Sequence, residues 1–484
     1  MKGALDDRGP LHRRVSTRES CIPVRRISNS HHEEARTAMH YQGVTENKGQ
    51  TISSKLCEEE RRYMAPGLQE VSQLSNLAVR RAKGCRLEDM EGKSYLDFMA
   101  GVAVCSLGHS HPSYIAAIKD QLERVAVGSF TTENRVALLS LIASLTPGEL
   151  NRTQLYSGGA EAVEAAVRLA KSYTKKFEIL SFWGGFHGKT GGVLGLIGDP
   201  FKKNWGILHP GLHLAPYADC YRCPFKMEYP GCGVFCLEYV RKVIENNTAG
   251  SLAAIIVETI QGTAGNVIPP PEFLPGLLEI AHENDALLIA DEMITGFGRT
   301  GVMFGSNHTN IIPDIMTIGK GMGCGFPVSG LVSTDEITAS TPFSKPSSSS
   351  SSYGGNPLAS TAALATIRTI LDESLVDNSR EVGEHLLRGL QELSEKYEFI
   401  GDVRGRGLLI GVELVKDRKT KEPLEKVVTK RIFLETLKRG LVCMNYKPNF
   451  RINPPLVLSR EEADEGLAIL DEIFAHVVKH IPYK

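Results

Sequence analysis

The sequence predicts an α/β fold built on a mostly parallel sheet, and three stretches carry that prediction. Residues 252–258 (LAAIIVE) and 286–291 (ALLIAD) are short apolar runs that end in an acid. Buried parallel strands read this way, because helices cover both of their faces. Between them, residues 272–284 have a helical pattern. Strand, helix, strand in that order is a βαβ unit.

The other elements follow along the chain. Residues 1–65 are rich in Arg, His, Ser and Glu with few apolar runs, and are expected to be a disordered extension. Acids Asp6, Asp7, Glu19, Glu33 and Glu34 argue against a transit peptide there. From about Leu77 the pattern is globular. Residues 86–98 (RLEDMEGKSYLDF) predict a β-hairpin turning near Glu91 and Gly92. Residues 112–125 predict a helix, as does the stretch from Asn356 to about Asp372. The serine run 347–352 lies in an expected loop, 338–352. A second α+β segment closes the chain, with strands expected near 408–414 and 441–453, and there is no internal repeat. The division expected is 1–65 as extension, 66–99 joined to 366–484 as a small domain, and 100–365 as a large one.

Composition narrows the class. With 42% hydrophobic and 23% charged residues, 484 residues can bury a core without staples. Lys and Arg number 55 against 56 Asp and Glu, a balance that does not suit a nucleic-acid binder. No run of about 18 uncharged apolar residues suggests a membrane span. The first forty residues lack the apolar core of a signal peptide. The ten cysteines are therefore expected reduced, in the cytoplasm.

Three features carry chemistry. Ser157-Gly158-Gly159-Ala160-Glu161 is a Gly-rich turn feeding a helix expected from about Ala160, an arrangement that turns backbone N–H groups toward an anion. Asp291 and Glu292 end a strand at the edge where α/β sheets bind ligands, where a carboxylate can hold a cationic ring nitrogen or a metal. Lys320, flanked by glycines after the apolar run 315–318, is placed to be a partly desolvated amine nucleophile. Each alone has a bland reading: a plain loop, a surface acid, a loop lysine. Together they are the protein groups that pyridoxal 5′-phosphate needs.

With ADEMITGFGRTG (290–301) and IGKG (318–321), supported by LGHSHP (107–112), VETIQG (257–262), YGGNP (353–357) and VRGRG (403–407), the chain resembles the class III (ω-amino-acid type) aminotransferases of pyridoxal-phosphate fold type I from about Leu77 to His480. The resemblance implies a large domain around a mostly parallel seven-stranded sheet, a smaller α+β domain, and at least a homodimer. It implies that Lys320 carries the cofactor as an aldimine and then shuttles the proton, and that Asp291 pairs with the pyridine nitrogen. Gly159 and Ala160 are implied to offer N–H groups to the phosphate, Phe186 and Met293 to cover the ring faces, and His187 to lie beside the cofactor. Glu258 is implied on the substrate side, and Ser352, where relatives more often have Thr, at the phosphate of the neighbouring subunit. The reaction implied is a ping-pong transfer of an amino group from an amino acid or amine to a 2-oxo acid or other carbonyl acceptor.

Arg451 matches an arginine that grips substrate carboxylates in relatives, a task suited to its forked donors. Thr263 stands where relatives specific for ω-amino acids often have a Glu that masks this arginine, and Lys189 stands for a second family arginine. Both departures argue against strict ornithine or 4-aminobutyrate specificity and leave Arg451 open to 2-oxo acids. Val102 replaces an aromatic substrate contact of some relatives. Cys220, Cys223, Cys232 and Cys236 have a spacing open to zinc or iron–sulfur, but Pro224, Pro230 and Gly231 fit a compact loop with incidental thiols, so no metal is expected. His109 and His111 are expected to pack rather than to ligate. The competing readings are a racemase, decarboxylase or lyase on the same fold, and a non-catalytic pyridoxal-binding protein.

Overall fold

The two apolar runs that end in acids are adjacent strands, Leu252–Glu258 and Leu287–Asp291, in a computed structural model that describes residues 51–126 and 128–481. They pair in parallel at the centre of a seven-stranded sheet ordered Arg152–Tyr156, Ser329–Ser333, Ile315–Ile318, Leu287–Asp291, Leu252–Glu258, Glu178–Phe182, Leu212–Ala215. Only Ser329–Ser333 runs antiparallel to its neighbours. The predicted mostly parallel sheet is thus observed.

Alternation along the central strands explains how both faces are buried. Ile255, Val257 and Leu288 join Phe273, Leu277 and Ile280 of the helix Phe273–Glu283 on one side. Ala254, Ile256, Leu287 and Ile289 join Val163, Ala166 and Leu169 of the helix Gly159–Thr174 on the other. Successive side chains of a strand point to opposite faces, so an unbroken apolar run is what a two-sided core demands. Each fully buried Ile or Leu contributes about 1.5–3 kcal/mol. Alanines at 162, 165, 166 and 170 let the Gly159–Thr174 helix lie close across the sheet.

The remaining strands form two smaller sheets. One joins Val79–Lys83, the expected hairpin Arg86–Asp89 and Ser94–Asp97, and Leu441–Val442. The other joins Ile400–Arg406, Leu409–Asp417 and Glu422–Pro423, with Asn449–Ile452 paired to Leu409–Asp417.

The structure departs from the sequence expectations in three places. Of the expected extension 1–65, residues 1–50 lie outside the described residues, but Ile52–Tyr63 is a helix. Thr51 caps it by accepting from Ser54 N at 3.1 Å, and Ser53 N donates to Glu91 at 2.8 Å, which ties the helix to the hairpin turn. The single strand expected over 441–453 is two short strands in different sheets, parallel to Ser94–Asp97 and antiparallel to Leu409–Asp417. The chain between them contains Pro448, whose missing N–H cannot extend a ladder. The helix expected over 112–125 ends at Leu122.

Candidate active site

Parallel strands bring their C-terminal ends to one edge, and the register there is specific. Glu258 pairs with Asp291, and Asp291 pairs with Thr317. Three residues beyond Thr317 the chain turns sharply at Lys320–Gly323. Two acids, a threonine and a lysine are thereby gathered from sequence positions 62 residues apart, 258 to 320.

Asp291 is 2% exposed and fully engaged. Its Oδ2 lies 2.7 Å from His187 Nδ1, and its Oδ1 accepts from Met293 N and Thr317 Oγ1, both at 3.1 Å. Burial would raise its pKa, but His187, the Lys320 charge and the Met293 N–H outweigh burial and hold it below the ordinary value. It is therefore an anion in a dry place. Glu258, also buried, accepts from Phe186 N and Gly262 N at 2.9 Å each. Burial pushes its pKa up, and the Asp291 charge adds to that.

Lys320 has a left-handed backbone, φ 41°, a conformation that costs a non-glycine residue about 1–2 kcal/mol. Burial lowers its pKa, and the Arg451 charge acts in the same direction, against Asp291 and Glu258. The amine is thus easier to deprotonate than a surface lysine, as a nucleophile requires.

A cavity of 490 Å³ opens above this edge, lined by Lys320, Asp291, Met293, Phe186, His187, Lys189, Gly159 and Ala160 among others. Glu161 accepts from Gly158 N at 2.6 Å and Ser157 N at 3.1 Å. Among the described residues no acceptor faces the N–H groups of Gly159 and Ala160, which begin a 16-residue helix. Met293 fills the space between two glycines: a Cβ on Gly319 would stand 2.6 Å from its sulfur, and one on Gly159 3.2 Å. A side chain at Gly319 would displace the Met293 thioether from this wall, and one at Gly159 would crowd it. A buried anion for a ring nitrogen, free helix N-terminal amides for a phosphate, a half-buried amine and the Phe186 ring make up the donor set pyridoxal phosphate requires, so the residues fit that cofactor.

Of the other predicted residues, Arg451, Val102, Ser352, His109 and His111 stand outside the cavity lining, and Lys189 lies within it. Arg451 lies on Asn449–Ile452 and makes no salt bridge among the described residues, its nearest side-chain partner being Met444 Sδ at 3.6 Å. Burial lowers its pKa, against Tyr446 and Glu258. Val102 packs with Met444 and Tyr446 in a small apolar cluster. Ser352 is exposed, next to Tyr353, which is 63% exposed. Lys189 Nζ sits 5.8 Å from the Phe186 ring centre and 4.9 Å from that of Phe201. His109 and His111 pair with Asp97 and Glu373. No group of three or more metal-ligating side chains occurs among the described residues, the cysteine-rich loop 220–236 included. Sequence reasoning missed Thr317; its signal was a lone hydroxyl in an apolar strand, three residues before the lysine.

Comparison with known proteins extends this geometry. The sequence model of the family Aminotransferase class-III matches residues 68–474. A leucine/methionine racemase of Thermococcus litoralis is 37% identical over 82% of this chain and 90% of its own length. The 5-aminovalerate aminotransferase DavT of Pseudomonas aeruginosa is 34% identical over 84% of this chain and 95% of its own. An amine transaminase from an uncultivated Pseudomonas species, solved in a PLP-bound form, superposes with a TM-score of 0.80 at 30% identity, covering 86% of this chain and 98% of that one.

Proposed function

The chain belongs to the class-III aminotransferases, pyridoxal-phosphate enzymes of fold type I, and from that premise we propose that it moves amino groups between carboxylate-bearing substrates gripped by Arg451. The observation that carries this reading is a half-buried guanidinium whose charge is felt by Lys320 and which feels that of Glu258, with no carboxylate partner of its own among the described residues. A buried unpaired charge is costly unless a ligand completes it.

Bound at Lys320, the cofactor supplies an aldehyde that takes up an amino group and a ring that accepts the electron pair left at Cα. The residues of this chain supply the rest. The Asp291 carboxylate, fixed by His187, Thr317 and the Met293 N–H, holds a proton at the ring nitrogen. The N–H groups of Gly159 and Ala160 hold the phosphate. Phe186 and Met293 exclude water from the ring. The Lys320 amine would take the proton from Cα and deliver it two atoms away, across the substrate nitrogen, general base and acid in turn. Running the same steps backward onto a second oxo acid gives ping-pong kinetics.

The active unit we infer is a homodimer, with Ser352 of each chain serving its partner's phosphate; the neighbouring Tyr353, 63% accessible, supports a covered face there. The large domain 100–365 and the small domain formed by 66–99 with 366–484 belong to the same reading, since strands of the seven-stranded sheet all fall between 152 and 333. A cytoplasmic location is supported by nine described cysteines, all free. Among the described residues no helix is long and apolar enough to cross a membrane.

The test is a panel of amino donors with a 2-oxo acid acceptor, run on the purified protein and on Arg451→Ala. Amino transfer is expected, with kcat/KM for carboxylate substrates falling about 100-fold in the variant, in line with about 2–5 kcal/mol for a truncated buried charge contact. Unchanged kinetics with carboxylates would remove Arg451 from the reading. The 37% identity to a racemase supports a second activity. Loss of chirality of an amino acid without any acceptor, followed by chiral chromatography, would favour it.

A further inference from the structure

Two segments distant in sequence wall the cofactor cavity, at Val104 and at Gly325–Val328. Each has a cysteine as the next residue, Cys105 and Cys324. Neither cysteine lines the cavity, and the amino-transfer chemistry above uses neither. Their thiols lie within hydrogen-bonding reach of each other, and a Cβ on Gly325 would stand 3.9 Å from Cys105 Sγ. The two segments already touch beneath Lys320, where a Cβ on Gly321 would meet Ser106 Oγ at 2.5 Å.

The groups around the pair are arranged as a thiol centre. The backbone amides of Leu107 and Ser106 favour the charged form of the Cys324 thiol. The Gly108 carbonyl, 3.8 Å from that sulfur, can accept its proton in the neutral form. The His109 ring bonds to the Cys105 thiol, and its Nε2 lies 2.9 Å from Asp97 Oδ2. Asp97 is 1% exposed and is fixed by N–H groups of Met99 and Ala100, both at 2.8 Å. The shared bond to Cys105, with the two amides, lowers the Cys324 pKa against burial, while the same bond raises that of Cys105. Asp97 and then Cys105 push His109 up to about 10. Of the two sulfurs Cys324 is therefore the one whose thiolate is favoured, and the His109 imidazole stands beside Cys105 as the proton carrier.

We propose that Cys105 and Cys324 are a thiol–disulfide switch, oxidised by hydrogen peroxide, that couples redox state to the shape of the cofactor cavity. The coupling rests on the reading of the Lys320 cavity as the active site. The Cys324 thiolate attacks one peroxide oxygen, the O–O bond breaks, and the departing hydroxide takes a proton from His109, leaving Cys324 as a sulfenic acid and releasing water. Cys105 then gives its proton to His109 and attacks the Cys324 sulfur. The S–O bond breaks, the hydroxide leaves with that proton, and a second water is released. One peroxide accepts two electrons and the sulfurs lose two. The new bond draws the sulfurs to about 2.05 Å and pulls the walls at Val104 and Gly325 together.

The experiment treats the full-length protein, with its cofactor, with limiting hydrogen peroxide. Non-reducing peptide mapping should find a Cys105–Cys324 cross-link, and amino transfer should fall about tenfold or more, as displacements near 1 Å can, returning with dithiothreitol. Cys105→Ser should leave a dimedone-reactive sulfenic acid at Cys324, and Cys324→Ser should resist the loss of activity. Oxidation confined to other cysteines such as Cys220, or a cross-link with unchanged activity, would overturn the switch. The peptide map reads the disulfide whatever the substrate, so a failure of the functional reading would show separately, as absence of amino transfer in untreated protein.

Discussion

Lys320 occupies a place unfavourable to an ammonium group, strained in backbone, enclosed, and within the field of Arg451. Lowering the pKa of a base means that its neutral form appears at lower pH, because the charged form is the one penalised. The rate at which pyridoxal phosphate added to cofactor-free protein is trapped on Lys320 by borohydride should therefore rise at a pH below that for surface lysines, whose ordinary pKa is about 10.4. Peptide mass spectrometry over a pH series reads this site by site, and a Lys320 profile that coincides with the surface lysines would refute it. Lys320 and Asp291 were legible as residues because each interrupts an apolar strand end. Their electrostatics were not, because Thr317 and the His187 bond come from tertiary register, and a single sequence does not print which strand lies next to which.

Helices in this fold are seated by glycines whose missing side chains admit another backbone. In Leu375–Lys396 the buried stripe Leu375, Ser379, Val382, Gly383, Leu386, Leu390 has helical spacing. A Cβ on Gly383 would overlap the carbonyl carbon and oxygen of Gly407, while one on Gly389 would meet only the Leu467 side chain. Alanine in place of glycine gains about 1 kcal/mol of helix propensity at either site. Overpacking costs about 1–3 kcal/mol, occasionally more, and a rigid backbone cannot step aside as a leucine rotamer can. Gly383→Ala should lower the urea midpoint by an amount equivalent to about 2 kcal/mol, and Gly389→Ala should leave it nearly unchanged. Equal midpoints would show that Gly407 yields. Elements with a strong period, such as 252–258 and 357–372, were legible in the sequence. The helix Ile52–Tyr63 was not, because its apolar residues are few and its anchor is a distant acid, Glu91.

In the whole molecule, the proposal that one chain completes its neighbour's site has a consequence that no single-chain property shares. A serine run read alone is low-complexity loop, and in this chain Ser352 is exposed and outside the lining of its own cavity. Lys320→Ala removes the amine from a site, and Ser352→Asp sets a carboxylate against a phosphate, a like-charge contact that repels. In a two-fold dimer each site would take Lys320 from one chain and Ser352 from the other. A mixed dimer of the two variants then has one site with both defects and one with neither. Random re-association of equal amounts makes half the dimers mixed, so activity should return to about a quarter of wild type, though each variant alone is nearly inactive. Sites that draw both groups from one chain would stay at the level of the separate variants after mixing. Because both variants carry defects confined to local side chains, recovery on mixing cannot come from either fold, and its absence would leave Ser352 as the loop residue its composition suggests.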